Sequence, residues 1–223
     1  MYWKTFFIWI LLIGMPSGIQ SQTLKKPVTL MGLGDSITEG SDHFSTYLCP
    51  LRQLLEAAHC HVSFIGPRSS ICGTQKVRHC GFSGKNVEYL DSLIDSTYRT
   101  YPADIVLIHA GHNHFANEHP VEDMIAAYES IIRKLISIRP DVQIILSKVI
   151  PSGKLPKYSY IPALNREIGK LVKRMHLKQV SIADPAHGFD WRKYTIQDKV
   201  HPNEQGAEHI ASAFMKALMH LQQ

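Results

Sequence analysis

The sequence predicts an α/β domain: a parallel sheet covered by helices on both faces. Three observations predict it. Five apolar runs of strand length recur along the chain. The segments between them repeat their apolar residues at helical spacing. No internal repeat, low-complexity stretch or linker divides the 223 residues, a length suited to one domain with a full core.

The expected strands are Val28–Leu33, His61–Ile65, Ile105–Ala110, Val142–Val149 and Val180–Ala183. Between the first two, "PLRQLLEAA" carries Leu51, Leu54 and Leu55 on one face, with Pro50 suited to a first helical turn. "NVEYLDSLIDSTY" groups Val87, Leu90, Leu93 and Ile94, and "VEDMIAAYESIIRKLISI" repeats Ile125, Tyr128, Ile131, Ile132, Leu135 and Ile138. "IPALNREIGKLVKRM" and "NEQGAEHIASAFMKALMHL" complete the helices. Helices of this length between strands give βαβ units and a parallel sheet. Residues 66–85, 150–159 and 184–200 are expected to be long loops that wall a pocket.

The first residues read as a targeting segment, with residues 1–21 as signal peptide and 22–223 as the folded domain. Lys4 precedes an apolar run from Phe6 to Met15, then small and polar residues, with cleavage expected after Ser21 or Gly18. Such a run is too short for a bilayer, which takes about 20 residues; an uncleaved anchor is the alternative. No other stretch is long and apolar enough to span, so the expectation is an exported protein, secreted or periplasmic, without stable membrane insertion. The net charge of +5 is scattered, with no basic run or aromatic-interleaved basic motif. A solvated surface fits this pattern and a nucleic-acid footprint does not.

Four cysteines, Cys49, Cys60, Cys72 and Cys80, suit disulfides in an exported chain. A helix over residues 50–58 puts Cys49 and Cys60 about 15 Å apart, beyond the ~7 Å reach of a bridge. Cys72 and Cys80 fall on one loop and are the expected pair, which leaves Cys60 a buried free thiol.

In a parallel α/β sheet, ligands gather at the carboxyl ends of the strands. Ser36 follows the first strand, Gly81 and Gly84 the second, Asn113 the third, and Asp198 and His201 the fifth. All therefore reach one edge. A serine hydroxyl needs an adjacent base to attack. In "DKVH", Asp198 can hold one imidazole nitrogen of His201 while the other meets Ser36. The backbone N–H groups of Ser36 and Gly81 and the Asn113 amide are candidate donors to an oxyanion. Singly, each residue has an ordinary use in a turn or cap; together they describe one site. Asp35 is expected to stiffen the serine turn by accepting backbone hydrogen bonds, and Thr38, Glu39 and Gly40 to brace it.

"GDSITEG" at Gly34–Gly40, "GFSG" at Gly81–Gly84, "GHNH" at Gly111–His114 and "DKVHPNEQG" at Asp198–Gly206 resemble, in order, the blocks of the SGNH, or GDSL, hydrolases. The resemblance implies a flavodoxin-like three-layer α/β/α sandwich with a five-stranded parallel sheet. It also implies a serine nucleophile at Ser36, oxyanion donors at Gly81 and Asn113, a base at His201 and its partner at Asp198. No cofactor or metal is implied. "VSFIGP" and "HCGFSG" further resemble acetylxylan-esterase-like carbohydrate esterases, with a lysophospholipase or arylesterase as the second reading and a non-catalytic glycan-binding module as the third. The expected partner is a small-molecule or glycan ester met by a monomer. Trp191 could stack on a sugar or simply pack. His114 stands where the family usually has aspartate, which puts the bracing of the Asn113 loop in question. His109, His112 and His114 in "HAGHNH" raise a metal reading, opposed by the lack of a cysteine or carboxylate to complete the set.

Overall fold

The computed structural model describes residues 27–221, so the expected signal segment lies outside the described residues. The strands are β1 (Val28–Gly34), β2 (Val62–Phe64), β3 (Arg68–Cys72), β4 (Gln75–Gly81), β5 (Ile105–His109), β6 (Gln143–Ser147) and β7 (Val180–Ala183). The helices are α1 (Ser36–Glu39), α2 (Leu48–Ala57), α3 (Val87–Thr100), α4 (Val121–Ile138), α5 (Ile161–Met175), α6 (Trp191–Tyr194) and α7 (Glu204–His220).

Strand β1 lies at the centre. On one side it pairs in parallel with β5, from Leu30 opposite Ile105 to Gly34 opposite His109, and β6 and β7 continue the parallel array. On the other side β2 takes the first half of β1, through Val28–Val62, and β4 takes the last residues, through Gly34–Gly81. The five expected strands thus form a parallel sheet, and the β3–β4 hairpin extends it.

Side chains alternate between the two faces, as the strand period requires. Val106 and Ile108 of β5 join one core with α3, α4 and α5, while Ile105 and Leu107 join the other with α2 and α7. β6 divides likewise, with Ile144 and Leu146 on the first face and Ile145 on the second. The result is the expected three-layer sandwich.

The expected loop at 66–85 is corrected by this hairpin. Polar β3 (RSSIC) and β4 (QKVRHCG) pair antiparallel from Arg68–His79 to Cys72–Gln75 around a turn with Gly73 at φ 64°. Neither strand carries an apolar run, so sequence patterning missed them. The hairpin also overturns the expected Cys72–Cys80 bridge. Cys72 sits at its tip; Cys80 lies five residues beyond Gln75, about 16 Å along the strand at 3.3 Å per residue. The bridge joins Cys49 to Cys72, with Cα atoms 5.3 Å apart, and ties the start of α2 to the hairpin tip. Cys60 and Cys80 are buried free thiols, and burial pushes Cys80 up to about 12.

Candidate active site

The serine turn is built by its neighbours. Asp35 is fully buried at the N-cap of α1. Its Oδ1 accepts the Ile37 N–H at 3.0 Å, and its Oδ2 accepts those of Gly111 at 3.1 Å and His112 at 3.5 Å. These bonds offset the cost of burying a carboxylate and fasten the turn to the loop after β5. A Cβ at Gly34 would lie 2.1 Å from the His109 carbonyl oxygen and 2.2 Å from Thr38 Oγ1, so only glycine fits there. Thr38 and Glu39 brace the turn. Thr38 Oγ1 donates to the His109 carbonyl at 3.3 Å, and its own carbonyl accepts from Thr46 Oγ1 at 2.7 Å. Glu39 accepts from Arg68 Nε at 3.0 Å and from the Ser83 N–H at 2.5 Å.

Ser36, the first residue of α1, places Oγ 2.9 Å from His201 Nε2. His201 Nδ1 is 2.5 Å from Asp198 Oδ2. With Nδ1 donating to the carboxylate, Nε2 carries the lone pair that faces the serine hydroxyl. The other Asp198 oxygen accepts the backbone N–H groups of Val200 at 2.9 Å and His201 at 3.0 Å. Burial alone would raise the Asp198 pKa; the His201 bond and these two N–H groups outweigh it and hold the carboxyl below its ordinary value. The turn is compact, with Lys199 at φ 62°. Its Lys199 carbonyl accepts from Ser152 Oγ at 2.7 Å and the Gly153 N–H at 2.9 Å. The Phe44 ring stacks on the His201 imidazole, centroids 4.1 Å apart and 19° from parallel.

Asn113 and the glycines lie on a third side. Asn113 Nδ2 donates to the Lys85 carbonyl at 2.8 Å, which uses one of its two N–H bonds. Gly81 departs from expectation. It is the last residue of β4, buried, and its N–H donates to His79 Nδ1 at 3.0 Å. That donor is therefore committed inside the fold. Gly84 differs: it is exposed at φ 73°, adjoins Lys85, and its N–H makes no hydrogen bond among the described residues. His79 itself went unnoticed in the sequence. Burial pushes it down to about 4, so its ring is neutral. Nδ1 accepts from Gly81, so Nε2 carries the proton and donates to Ser70 Oγ at 2.9 Å. Ser70 Oγ in turn donates to the Glu39 carbonyl, and this chain pins the hairpin to α1.

The GDSL-like lipase/acylhydrolase family model matches residues 33–209. The chain belongs to that family. It is therefore a carboxylic ester hydrolase, and the matched span runs from the end of β1 into α7. A carbohydrate esterase family 3 structure from Talaromyces cellulolyticus superposes on this GDSL-like hydrolase with a TM-score of 0.77 at 26% identity, covering 87% of this chain and 98% of that one. An acetyl esterase mutant with acetate ion gives 0.77 at 25% identity with the same coverage. A Clostridium thermocellum family 3 carbohydrate esterase shares the fold, with a TM-score of 0.74 at 22% identity, covering 87% and 98%. No curated protein matches the sequence.

The histidine-rich segment of this GDSL-like hydrolase does not converge on one point. His109 is buried with neither ring nitrogen hydrogen-bonded among the described residues. His112 Nε2 donates to the Ile150 carbonyl at 3.0 Å. Burial pushes both rings down to about 4. His114 turns the other way, with Nε2 2.9 Å from Glu88 Oε2 and Nδ1 3.3 Å from Glu118 Oε2. The Glu88 hydrogen bond raises its pKa. Two glutamates and a histidine thus brace the Asn113 loop where the family usually has aspartate. Trp191 begins α6 half-buried, with its ring packed against Gly153. Among the described residues, no helix is long and apolar enough to cross a membrane.

Proposed function

We propose that this hydrolase is an exported serine esterase that removes short acyl groups, O-acetyl foremost, from carbohydrate. The observation that carries the mechanism is the continuous chain from Ser36 Oγ through His201 to Asp198, at 2.9 Å and 2.5 Å. Ser36 Oγ attacks the acyl carbon and its proton passes to His201 Nε2. Asp198 stabilises the imidazolium that forms. The oxyanion is met by the Ser36 N–H, the Gly84 N–H in place of that of Gly81, and the free N–H of the Asn113 amide. His201 then protonates the leaving sugar oxygen, and the C–O bond breaks to leave an acyl-Ser36. Water, deprotonated by His201, attacks this ester; acetate leaves and the Ser36 hydroxyl is restored.

Likeness to the carbohydrate esterase of family 3 and the acetyl esterase at 26% and 25% identity supports the acetyl and sugar assignment. Export, with residues 1–21 removed and 22–223 retained, is supported by the leader pattern and by the Cys49–Cys72 disulfide. The test is hydrolysis of p-nitrophenyl acetate and of acetylated xylan by the mature protein beside Ser36→Ala. Release of acetate from both by the wild type alone is the expected result. Equal rates for the two proteins would remove the serine esterase reading, and release from p-nitrophenyl acetate alone would remove the sugar.

A further inference from the structure

His114 is held on both sides by carboxylates. Its Nε2 lies 2.9 Å from Oε2 of Glu88, in the first turn of α3, and its Nδ1 lies 3.3 Å from Oε2 of Glu118, in the 3-10 turn Ala116–Glu118. A carboxylate oxygen only accepts, and a neutral imidazole carries a single N–H. Both contacts are therefore hydrogen bonds only when the ring is protonated at both nitrogens. The side chain is 11% exposed, so salt screens this charge little. Glu118 Oε2 also accepts the Phe115 N–H at 2.9 Å. Glu88 has no such second bond: its Oε1 is buried and without a partner among the described residues.

The other ionisable groups around the ring leave its surroundings mainly negative. Asp91 of α3 faces the same cleft and pairs with Lys134 of α4 at 2.9 Å, and Asp123 stands at the start of α4. The ammonium groups of Lys85 and Lys157 lie over the Tyr89 and Phe115 rings, 4.8 Å and 4.3 Å from their centroids. The Tyr160 hydroxyl donates to the Gly111 carbonyl at 2.7 Å, and burial pushes its pKa up, so it stays neutral. The Glu88 bond raises the pKa of His114 above its ordinary value.

This clamp reaches the oxyanion side through one peptide. Asn113 precedes His114, and its Nδ2 donates to the Lys85 carbonyl at 2.8 Å. Asn86 caps α3, its Oδ1 accepting the Tyr89 N–H at 3.0 Å, so the Lys85 carbonyl and Glu88 belong to one helix start. Two adjacent side chains thus join the loop after β5 to that start. Loss of the second ring proton would leave one N–H for two carboxylates and replace a charge-assisted bond by a weaker neutral one.

We propose that His114 is a positioning residue whose imidazolium, clamped between Glu88 and Glu118, holds the Asn113 amide at the oxyanion, so that turnover falls as this ring loses its proton. This rests on the esterase reading above. The clamp is complete below the pKa of His114 and opens above it, whereas the base His201 must be free of its proton to act. The kcat therefore rises and then falls with pH. An oxyanion forms only on the way through the transition state, so KM changes little.

The experiment follows kcat for p-nitrophenyl acetate from about pH 5 to about pH 10, with the uncatalysed rate subtracted, beside an NMR titration of the His114 ring. The alkaline fall in kcat and the ring titration are expected to coincide. Glu88→Gln should move both toward acid by roughly one pH unit, and the more exposed Glu118→Gln should move both in the same direction by less. His114→Gln should lower kcat about tenfold and abolish the alkaline fall. If that variant does not fold, the two glutamate variants decide. A His114 ring that titrates at or below about 6.5, an alkaline fall that stays in place in Glu88→Gln, or an unaltered kcat profile in His114→Gln overturns the proposal. Absence of p-nitrophenyl acetate hydrolysis at every pH would instead overturn the esterase reading, and the ring titration in Ser36→Ala would still report the clamp.

Discussion

Phe44 lies face to face with His201, centroids 4.1 Å apart, on the side of the imidazole that neither Ser36 nor Asp198 occupies. Two hydrogen bonds fix the ring nitrogens but leave the imidazole free to tilt about the line joining them. The stacked face removes that freedom. Phe44 is itself held, because the Ser41 N–H donates to its carbonyl at 2.9 Å.

Phe44→Ala should therefore lower kcat about tenfold, the equivalent of about 1.4 kcal/mol, with KM little altered. Phe44→Tyr should restore most of the rate. Steady-state kinetics on p-nitrophenyl acetate separates the two parameters. A rise in KM at constant kcat would make Phe44 a substrate contact instead.

The oxyanion side gives a contrast between two neighbours. Asn113→Ala should cost about a hundredfold in kcat, or ~3 kcal/mol, with little change in melting temperature. Gly81→Ala should instead destabilise the fold, because its Cβ would stand 2.7 Å from the Glu39 nitrogen. Activity and thermal unfolding measured on both variants check this. A stable Gly81→Ala protein that had lost only kcat would return the donor role to Gly81.

The bridge between Cys49 and Cys72 closes 23 residues of chain. A loop of that size is worth about 3 kcal/mol. Cys49→Ala should lower the denaturant midpoint accordingly, and Cys80→Ala should leave the disulfide intact. Thiol counting under denaturing conditions should find two free cysteines in the wild type. The Cys80→Ala protein should show one free thiol, and three would mean that Cys80 was bridged to Cys49 or Cys72.

Acid should unfold this protein through its buried histidines. His79, His109 and His112 are each pushed from the ordinary 6.5 down to about 4, by burial first of all. Above pH 6.5 both folded and unfolded rings are neutral, and the full contribution to stability is present. Between 6.5 and 4 the unfolded chain binds protons that the folded chain refuses, so stability falls, by about 1.4 kcal/mol per pH unit for each ring. Denaturant titrations at pH 7 and pH 5 should show this loss, with proton uptake on unfolding approaching three for these rings at the lower pH. His112→Gln should flatten the slope by about one proton. A pH-independent midpoint over that range would contradict it.

The sheet was legible because its strands are apolar on both faces and its helices keep their period. Ile105–His109 and Val180–Ala183 need no context to be read as strands. The β3–β4 hairpin was illegible for the opposite reason: its strands are largely polar with no apolar run, and its identity rests on pairing with a distant β1. That one omission misplaced the disulfide. It also hid His79, whose ring takes the Gly81 N–H. The Asp35, Ser36, Asp198 and His201 cluster was readable because each follows or precedes a recognisable element. The second glycine of "GFSG" was readable as a turn, but only the hydrogen bonds separate its role from the first. Glu88 and Glu118 are ordinary helix and loop acids in sequence, and only the fold brings them to His114.

The central claim is that Ser36 carries the acyl group. Mass spectrometry of the protein quenched in acid during turnover of p-nitrophenyl acetate tests it directly. One acetyl group on the peptide containing Ser36, absent from Ser36→Ala, is the predicted result. Undiminished hydrolysis by Ser36→Ala, with no acetyl on that peptide in the wild type, would contradict it.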